Sequence, residues 1–307
     1  MRVLLTGATG FVGSHVLDRL VADGHQVACL LRPSSDPWRI AAHLPRITVI
    51  TGDLAAIEDI NALSAFRPEA TIHLAWQGVG NRHRDDPRQH DNIAQSLALM
   101  QRCAAAGVRT WIALGSQAEY GPCAEPIDES TATRPTNAYG KAKLQAAQDS
   151  AAAAAGLGLR FAWLRLFSSY GPKDDAAWLI PFLCLSLLKG QRPALTAGEQ
   201  LWDFLYITDV ARGIVAVMNN SQAQGIFNLG AGQAVPLRHV VEAIRDRIDP
   251  ALPLGLGDVP YRPDQVMRLK ADISRLSEAT GWRPLVGLDA GLAETIEWYR
   301  THVDRYS

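Results

Sequence analysis

In the stretch NAYGKAKLQ, residues 137–145, Tyr139 and Lys143 stand four positions apart, which puts both side chains on one face if the segment is a helix. The chain has seven tyrosines and five lysines in 307 residues, so about 0.1 such pairs would arise by chance at that spacing. The chemistry open to the pair is proton transfer. A free phenol, titrating near ~10, is a poor base at neutral pH, and a neighbouring ammonium favours its phenolate. Lys141, two positions from the tyrosine, faces elsewhere and is expected to be a solvated bystander.

A second group of residues could hold a phosphate. The apolar run RVLLT leads straight into TGATGFVGSH, which sets Gly7, Gly10 and Gly13 at three-residue intervals where a helix begins. Glycines there let the chain turn tightly and let backbone N–H groups at a helix N-terminus approach a pyrophosphate. The spacing is GxxGxxG, not the commoner GxGxxG, and its position between a first strand and a first helix gives it weight. About 20 residues on, where a carboxylate would hold the ribose 2′-hydroxyl of NAD, the second apolar run ends in LLRPSSD with Arg32. A guanidinium pairs with a 2′-phosphate, so Arg32, aided by Ser34 or Ser35, points to NADP. The alternative is an exposed arginine stacked on the adenine of either dinucleotide. Asp53, in TGDL after the third run, could accept from the adenine amino group or cap the following helix.

Positioning these residues takes strands and helices in alternation. RVLLT, QVACLLR, ITVITGD, TIHLAW, WIALGS and FAWLRLF read as strands with helical segments between them, the first helix near residues 11–23. That order predicts an α/β fold, a doubly wound parallel sheet of the Rossmann kind covered on both faces. Ser116 then lies at the C-terminal tip of the fifth strand, where ligands bind in open parallel sheets. Beyond Leu166 the rhythm breaks into SSYGPKDD, an amphipathic helix near 177–190, the stretch AGEQLWDFLYITDVA, a Pro/Gly-rich passage and a last helix in LDAGLAETIEWYRTHV. The expected organisation is a dinucleotide-binding domain at 1–167 plus about 202–230, and a smaller, discontinuous C-terminal substrate-binding lobe at 168–201 and 231–307.

Composition narrows the function. A formal net charge of −1, with no block of like charge, implies neither a nucleic acid nor a membrane surface as partner. Cys29, Cys103, Cys123 and Cys184 lie far apart without CxxC spacing, which argues against a metal site and a disulfide framework. No apolar run reaches the roughly 18 residues of a membrane span, and a cytoplasmic location is expected.

Taken together, TGATGFVG, HLAW, GSQAEYG and YGKAK, with the later RPD and GWRP, resemble the extended short-chain dehydrogenase/reductase family over residues 1 to about 300. That family includes nucleotide-sugar epimerases, dehydratases and ketoreductases. The resemblance implies that Ser116 holds the substrate carbonyl or hydroxyl, that Tyr139 is the acid/base, and that Lys143 supports it electrostatically and binds the cofactor ribose. It also implies cofactor contacts from Phe11, Val12, Leu54, Leu74 and Ala75. A homodimer is expected through a four-helix bundle that includes the tyrosine's helix, whose alanine-rich face at 142–155 suits close packing.

The remaining positions bear on the reaction. Family dehydratases carry an acidic pair just after the serine or threonine; here Gln117 and Ala118 stand there, and neither transfers a proton, which disfavours dehydration unless Glu119 substitutes. A 4-epimerase keeps NAD tightly bound, whereas a 4-ketoreductase consumes NADPH. Arg32 therefore favours NADP-dependent reduction of the 4-keto group of a nucleotide-activated 6-deoxy sugar. The alternatives are an NAD-dependent nucleotide-sugar 4-epimerase and, remotely, a non-catalytic dinucleotide-binding sensor on the same fold. Gln117, Ser168 and Arg262 are the expected substrate contacts, Arg262 as a diphosphate clamp. The chain departs from the family pattern at Ser168, where an asparagine is usual, and at Trp202, where an arginine usually precedes Asp-Phe. Gln77, Asn81, Arg82 and His83 would border the nicotinamide and sugar. His73 and His90 are expected to be structural, and Asn92 to cap a helix or brace the site.

Overall fold

Runs that are apolar at consecutive positions suit strands covered on both faces, and the first half of the chain is built from them. The computed structural model describes residues 1–59, 62–123, 126–262 and 265–306. β1 (Arg2–Thr6) is followed by α1 (Phe11–Ala22), β2 (Gln26–Leu31), β3 (Thr48–Thr51), α2 (Ala62–Phe66) and β4 (Ala70–His73). Next come α3 (Asp91–Ala105), β5 (Thr110–Ser116), α4 (Ala138–Leu157) and β6 (Arg160–Leu166). β7 (Ser168–Tyr170), α5 (Leu179–Leu188), β8 (Ala194–Leu195), β9 (Leu201–Tyr206), α6 (Ile207–Asn219) and β10 (Gly225–Leu229) follow. The last elements are β11 (Ala234–Pro236), α7 (Leu237–Ile248), β12 (Gly255–Leu256), β13 (Arg268–Leu269), α8 (Ser274–Thr280) and α9 (Leu288–Thr301).

Seven parallel strands form one sheet in the order β10-β6-β5-β4-β1-β2-β3, the doubly wound arrangement that the sequence predicts. The order reverses between β1 and β4, so a crevice opens at their C-terminal ends, where Thr6 pairs with His73. On one side of the sheet, Val16, Leu17 and Leu20 of α1 pack with Val210, Ile214 and Val217 of α6. On the other, Leu99, Met100 and Cys103 of α3 and Ala146, Ala147 and Ala154 of α4 cover Trp111 and Trp163. Burying each large apolar side chain in such layers contributes about 1.5–3 kcal/mol. Asn137 caps α4 by accepting from the Gly140 N–H at 2.8 Å, and Gly158 ends it at φ 64.

The smaller part of the molecule is organised around β9, which joins β7, β11 and β13 in a four-stranded sheet, while β8 pairs with β12. Residues 201–206 leave the large sheet, and the chain returns to it only with α6 and β10. The reason is the buried carboxylate of Asp203 in β9, which accepts from the Ala231, Gly232 and Ala271 N–H groups at 2.5, 2.9 and 3.1 Å and so gathers two later segments around that strand. Among the described residues, no helix is long and apolar enough to cross a membrane, and no group of three or more His, Cys, Asp or Glu side chains could hold a metal.

Asp174, between β7 and α5, pins the end of the chain: its carbonyl accepts from Tyr299 and Tyr306 hydroxyls at 3.2 and 2.9 Å. Its carboxyl is buried, and burial pushes its pKa up to about 8. Between about pH 4 and 8 the folded chain therefore keeps a proton that the unfolded chain has lost, and stability falls as pH rises through that window. Asp174→Asn, neutral throughout, should gain a few degrees of Tm over the wild type near pH 8 and little near pH 5. Thermal melts at the two pH values check this; an equal shift at both would refute the assignment.

Candidate active site

The turn after β1 is shaped by what glycine leaves out. A Cβ on Gly7, at φ +72, would lie 2.7 Å from the Ala75 nitrogen, and one on Gly13 would lie 2.0 Å from the Gly7 carbonyl oxygen. Only without those carbons can α1 start hard against β1 and the chain leaving β4. Gly10 is the N-cap of α1 and supplies no side-chain acceptor, so no side chain occupies the opening turn's N–H groups. Phe11 and Val12 are half-buried there, and the half-buried Leu74 and Ala75 line the same crevice, with the Ala75 N–H donating to Thr6 Oγ1 at 3.2 Å. These residues fit a dinucleotide pyrophosphate: an anion can approach bare backbone N–H groups at the positive end of a helix.

At the adenosine end, Arg32 is exposed just past β2. Asp53 accepts from the Ala55 N–H at 3.0 Å, the local turn contact that was one of its two expected uses, and Leu54 is half-buried beside it.

At the other end of the crevice, Ser116 ends β5, and Tyr139 and Lys143 rise from the first turns of α4, all three buried. A hydrogen bond from Ser116 favours the Tyr139 phenolate, but burial dominates and holds the phenol above its usual pKa. Lys143 is turned toward β5: its ammonium donates to the Leu114 carbonyl at 2.7 Å and lies 3.7 Å from the centre of the Trp76 ring. Burial brings its pKa down to about 7 against the opposing pull of Glu119. Trp76 in turn meets the Tyr139 ring edge-on at 6.3 Å. Lys141 is exposed.

Glu119 does not stand in for a dehydratase acid. Its carboxylate is fully buried, accepts from the Ser116 N–H and the Trp163 indole at 2.9 Å each, and pairs with Arg165 at 2.6 Å. Gln117 and Ser168 are half-buried, and Arg262 is exposed, while Pro263 and Asp264, the last two positions of the RPD motif, lie outside the described residues. Trp202 packs on Phe204 and donates its indole N–H to the Val266 carbonyl at 3.0 Å, so it ties β9 to Val266. Gln77, Asn81, Arg82 and His83 are exposed. Asn92 braces that loop, accepting from the Gln77 N–H at 2.8 Å and donating to the Gln89 carbonyl at 3.2 Å. His73 is buried between Thr6 Oγ1 at 2.8 Å and Ser96 Oγ at 2.9 Å.

One residue at the site went unnoticed in the sequence. Arg84, one position past the named loop residues, puts its guanidinium carbon 5.1 Å from the centre of the Tyr139 ring. No spacing rule links the two, because the contact depends on how the loop after β4 folds over α4.

Comparison with known proteins joins this geometry to a family. The sequence model described as the NAD dependent epimerase/dehydratase family matches residues 3–230, from β1 through β10. The chain belongs to that family. A UDP-glucose 4-epimerase of Mycolicibacterium smegmatis is 29% identical over 98% of this chain and 99% of its own length. A dTDP-6-deoxy-L-talose 4-dehydrogenase (NAD(+)) of Aggregatibacter actinomycetemcomitans is 31% identical over 79% of this chain and 88% of its own. The solved Thermus thermophilus UDP-glucose 4-epimerase in complex with NAD superposes with a TM-score of 0.87 at 28% identity, covering 98% of this chain and 99% of that one. The protein is thus an enzyme of the extended short-chain dehydrogenase/reductase type in a family of nucleotide-sugar epimerases and dehydratases that bind NAD or NADP.

Gly13→Ala should weaken dinucleotide binding by at least about tenfold in a fluorescence titration, because the turn must open to admit the methyl group. Gly24→Ala, at φ +76 but facing open space, should cost stability and leave affinity unchanged. Equal affinity losses would show that the turn at residues 7–13 does not hold the phosphates.

Proposed function

We propose that the protein is a nucleotide-sugar 4-epimerase with a bound NAD. The near full-length likeness to UDP-glucose 4-epimerases carries the reading, and the full engagement of Glu119 supports it against dehydration. The bound dinucleotide would take up a hydride and return it. Tyr139 would remove the proton from the C4 hydroxyl and later give it back, while Ser116 holds the same oxygen. Lys143 would hold the cofactor ribose, the turn at residues 7–13 its pyrophosphate, and Phe11, Val12, Arg32, Asp53, Leu54, Leu74 and Ala75 its remaining surface. The small lobe would take the nucleotide sugar, with Gln117 and Ser168 at the sugar and Arg262 at the diphosphate. We further infer a cytoplasmic homodimer joined through α3 and α4.

A second reading has an observation of its own. Arg32 stands at the end of β2 where an NAD enzyme would carry a carboxylate, and this favours NADP and reduction of a 4-keto-6-deoxy sugar nucleotide. The likeness to a sugar-nucleotide 4-dehydrogenase is consistent with it.

Denaturing the purified protein and identifying the released dinucleotide separates the two. The epimerase reading expects stoichiometric NAD and interconversion of C4 epimers without added cofactor. An empty protein that oxidises NADPH only when a 4-keto sugar nucleotide is supplied would replace it with the reductase. Arg32→Asp should weaken NADP at least about tenfold more than NAD, measured by titration with each; equal losses would mean that Arg32 only stacks. Tyr139→Phe should lower turnover by about 100-fold or more in either case, and unchanged turnover would overturn the assigned acid/base.

A further inference from the structure

Tyr139 is met, at its backbone and at its ring, by a loop that the catalytic assignment does not include. Residues 77–90 fold over the start of α4. The Arg84 carbonyl accepts from the Tyr139 N–H at 2.7 Å, and Asp85 accepts from the Ala138 N–H at 3.2 Å. Gln89 braces this loop from inside, donating to the Gly78 and His83 carbonyls at 2.7 and 2.9 Å and accepting from the Trp76 indole at 2.8 Å. The Arg84 guanidinium lies between two rings, 5.1 Å from the centre of Tyr139 and 5.9 Å from that of Trp178, which caps α5 of the smaller lobe. Its Nε is buried and has no hydrogen-bond partner, so the group is not consumed by an ion pair through that atom.

We propose that Arg84 is a positioning residue for Tyr139: its backbone fixes the tyrosine at the head of α4, and its guanidinium supplies the positive charge against the phenol ring. The inference rests on Tyr139 being the acid/base of the proposed reaction. A cation over an aromatic face is attracted to the ring, and more strongly once the ring carries the phenolate's charge. The charged groups around the phenol agree with this role. Arg84, from the loop after β4, favours the phenolate; Glu119, behind the end of β5, opposes it; Ser116 favours it by hydrogen bonding. Lys143, on α4 itself, is engaged by the Leu114 carbonyl and the Trp76 face. Arg262, from the smaller lobe, acts on Arg84 as a second cation. The rings of Trp76 and Trp178 complete the surroundings without charge.

Tyrosine labelled with 13C at Cζ reads the proton on Tyr139 directly, with the resonance assigned by its loss in Tyr139→Phe. In the dinucleotide-loaded enzyme, titrated to about pH 11, Arg84→Met and Arg84→Gln should move the Tyr139 transition upward by about one pH unit, with Arg84→Lys between them and the wild type. Where a sugar nucleotide is turned over, the Met and Gln variants should lose about tenfold in kcat near neutral pH, with KM changed less than about threefold. Coincident titrations in the wild type and both neutral variants, including no transition in any of them, would overturn the proposal. So would a loss confined to KM, which would make Arg84 a substrate contact. Failure of the underlying assignment has a different signature: Tyr139→Phe would keep its turnover, whatever the titration of Tyr139 does.

Discussion

The site's geometry depends on one buried carboxylate. Glu119 ties the end of β5 to β6 by accepting from the Ser116 N–H and from Trp163 and Arg165, and so decides where the strand stops and where the serine hydroxyl begins. Such a pair is not a large source of stability, since desolvation offsets much of the attraction, but removing one partner costs about 3–5 kcal/mol because it strands the other charge. Gly115 reflects the same crowding: a Cβ there would lie 2.1 Å from the Trp163 indole nitrogen and 2.5 Å from the Glu119 carboxylate. The charge also acts at a distance, favouring the ammonium of Lys143 and opposing the phenolate of Tyr139.

Next to this charged brace, the floor of the crevice is polar and neutral. The Ser96 hydroxyl donates to the Asn92 carbonyl at 2.6 Å, so its oxygen accepts the Nε2 proton of a neutral His73, and His73 Nδ1 then accepts from the Thr6 hydroxyl, whose oxygen accepts from the Ala75 N–H. Burial keeps His73 neutral by lowering its pKa to about 3, with Lys143 adding to the effect. The chain of bonds ties β1, β4 and α3 together where the strand order reverses.

Much of this was legible in the sequence because it follows local rules. Consecutive apolar residues gave the strands, and three glycines between a strand and a helix a tight turn at the start of α1. What escaped depends on contacts between distant segments. β9 reads like another strand of the large sheet, and only the amides gathered by Asp203 place it elsewhere. Glu119 could be an acid or a brace until Trp163 and Arg165 are seen to reach it. Trp202 could replace a phosphate contact or pack, and its bond to the Val266 carbonyl shows the packing. The i,i+4 spacing correctly predicts that Tyr139 and Lys143 share a helix face. It does not predict that Trp76, at the exit of β4, meets both the Lys143 ammonium and the Tyr139 ring, because a helix period describes Cβ directions and not the ends of long flexible side chains.

That last difference separates the roles of the two cations near Tyr139. Lys143, with a pKa near 7, exchanges its proton within the working range of most enzymes, so the charge it offers depends on pH and on whatever occupies the crevice. An arginine stays protonated at any pH the fold survives, even where burial lowers its pKa as it does at Arg84. A site with only the lysine would already have lost its positive charge before the solution became alkaline enough to ionise the phenol, which burial holds above its usual range. Adding a guanidinium from a separate loop makes part of the tyrosine's electrostatic environment independent of that titration. It makes the loop after β4 part of the proposed acid/base unit as well as a wall of the crevice.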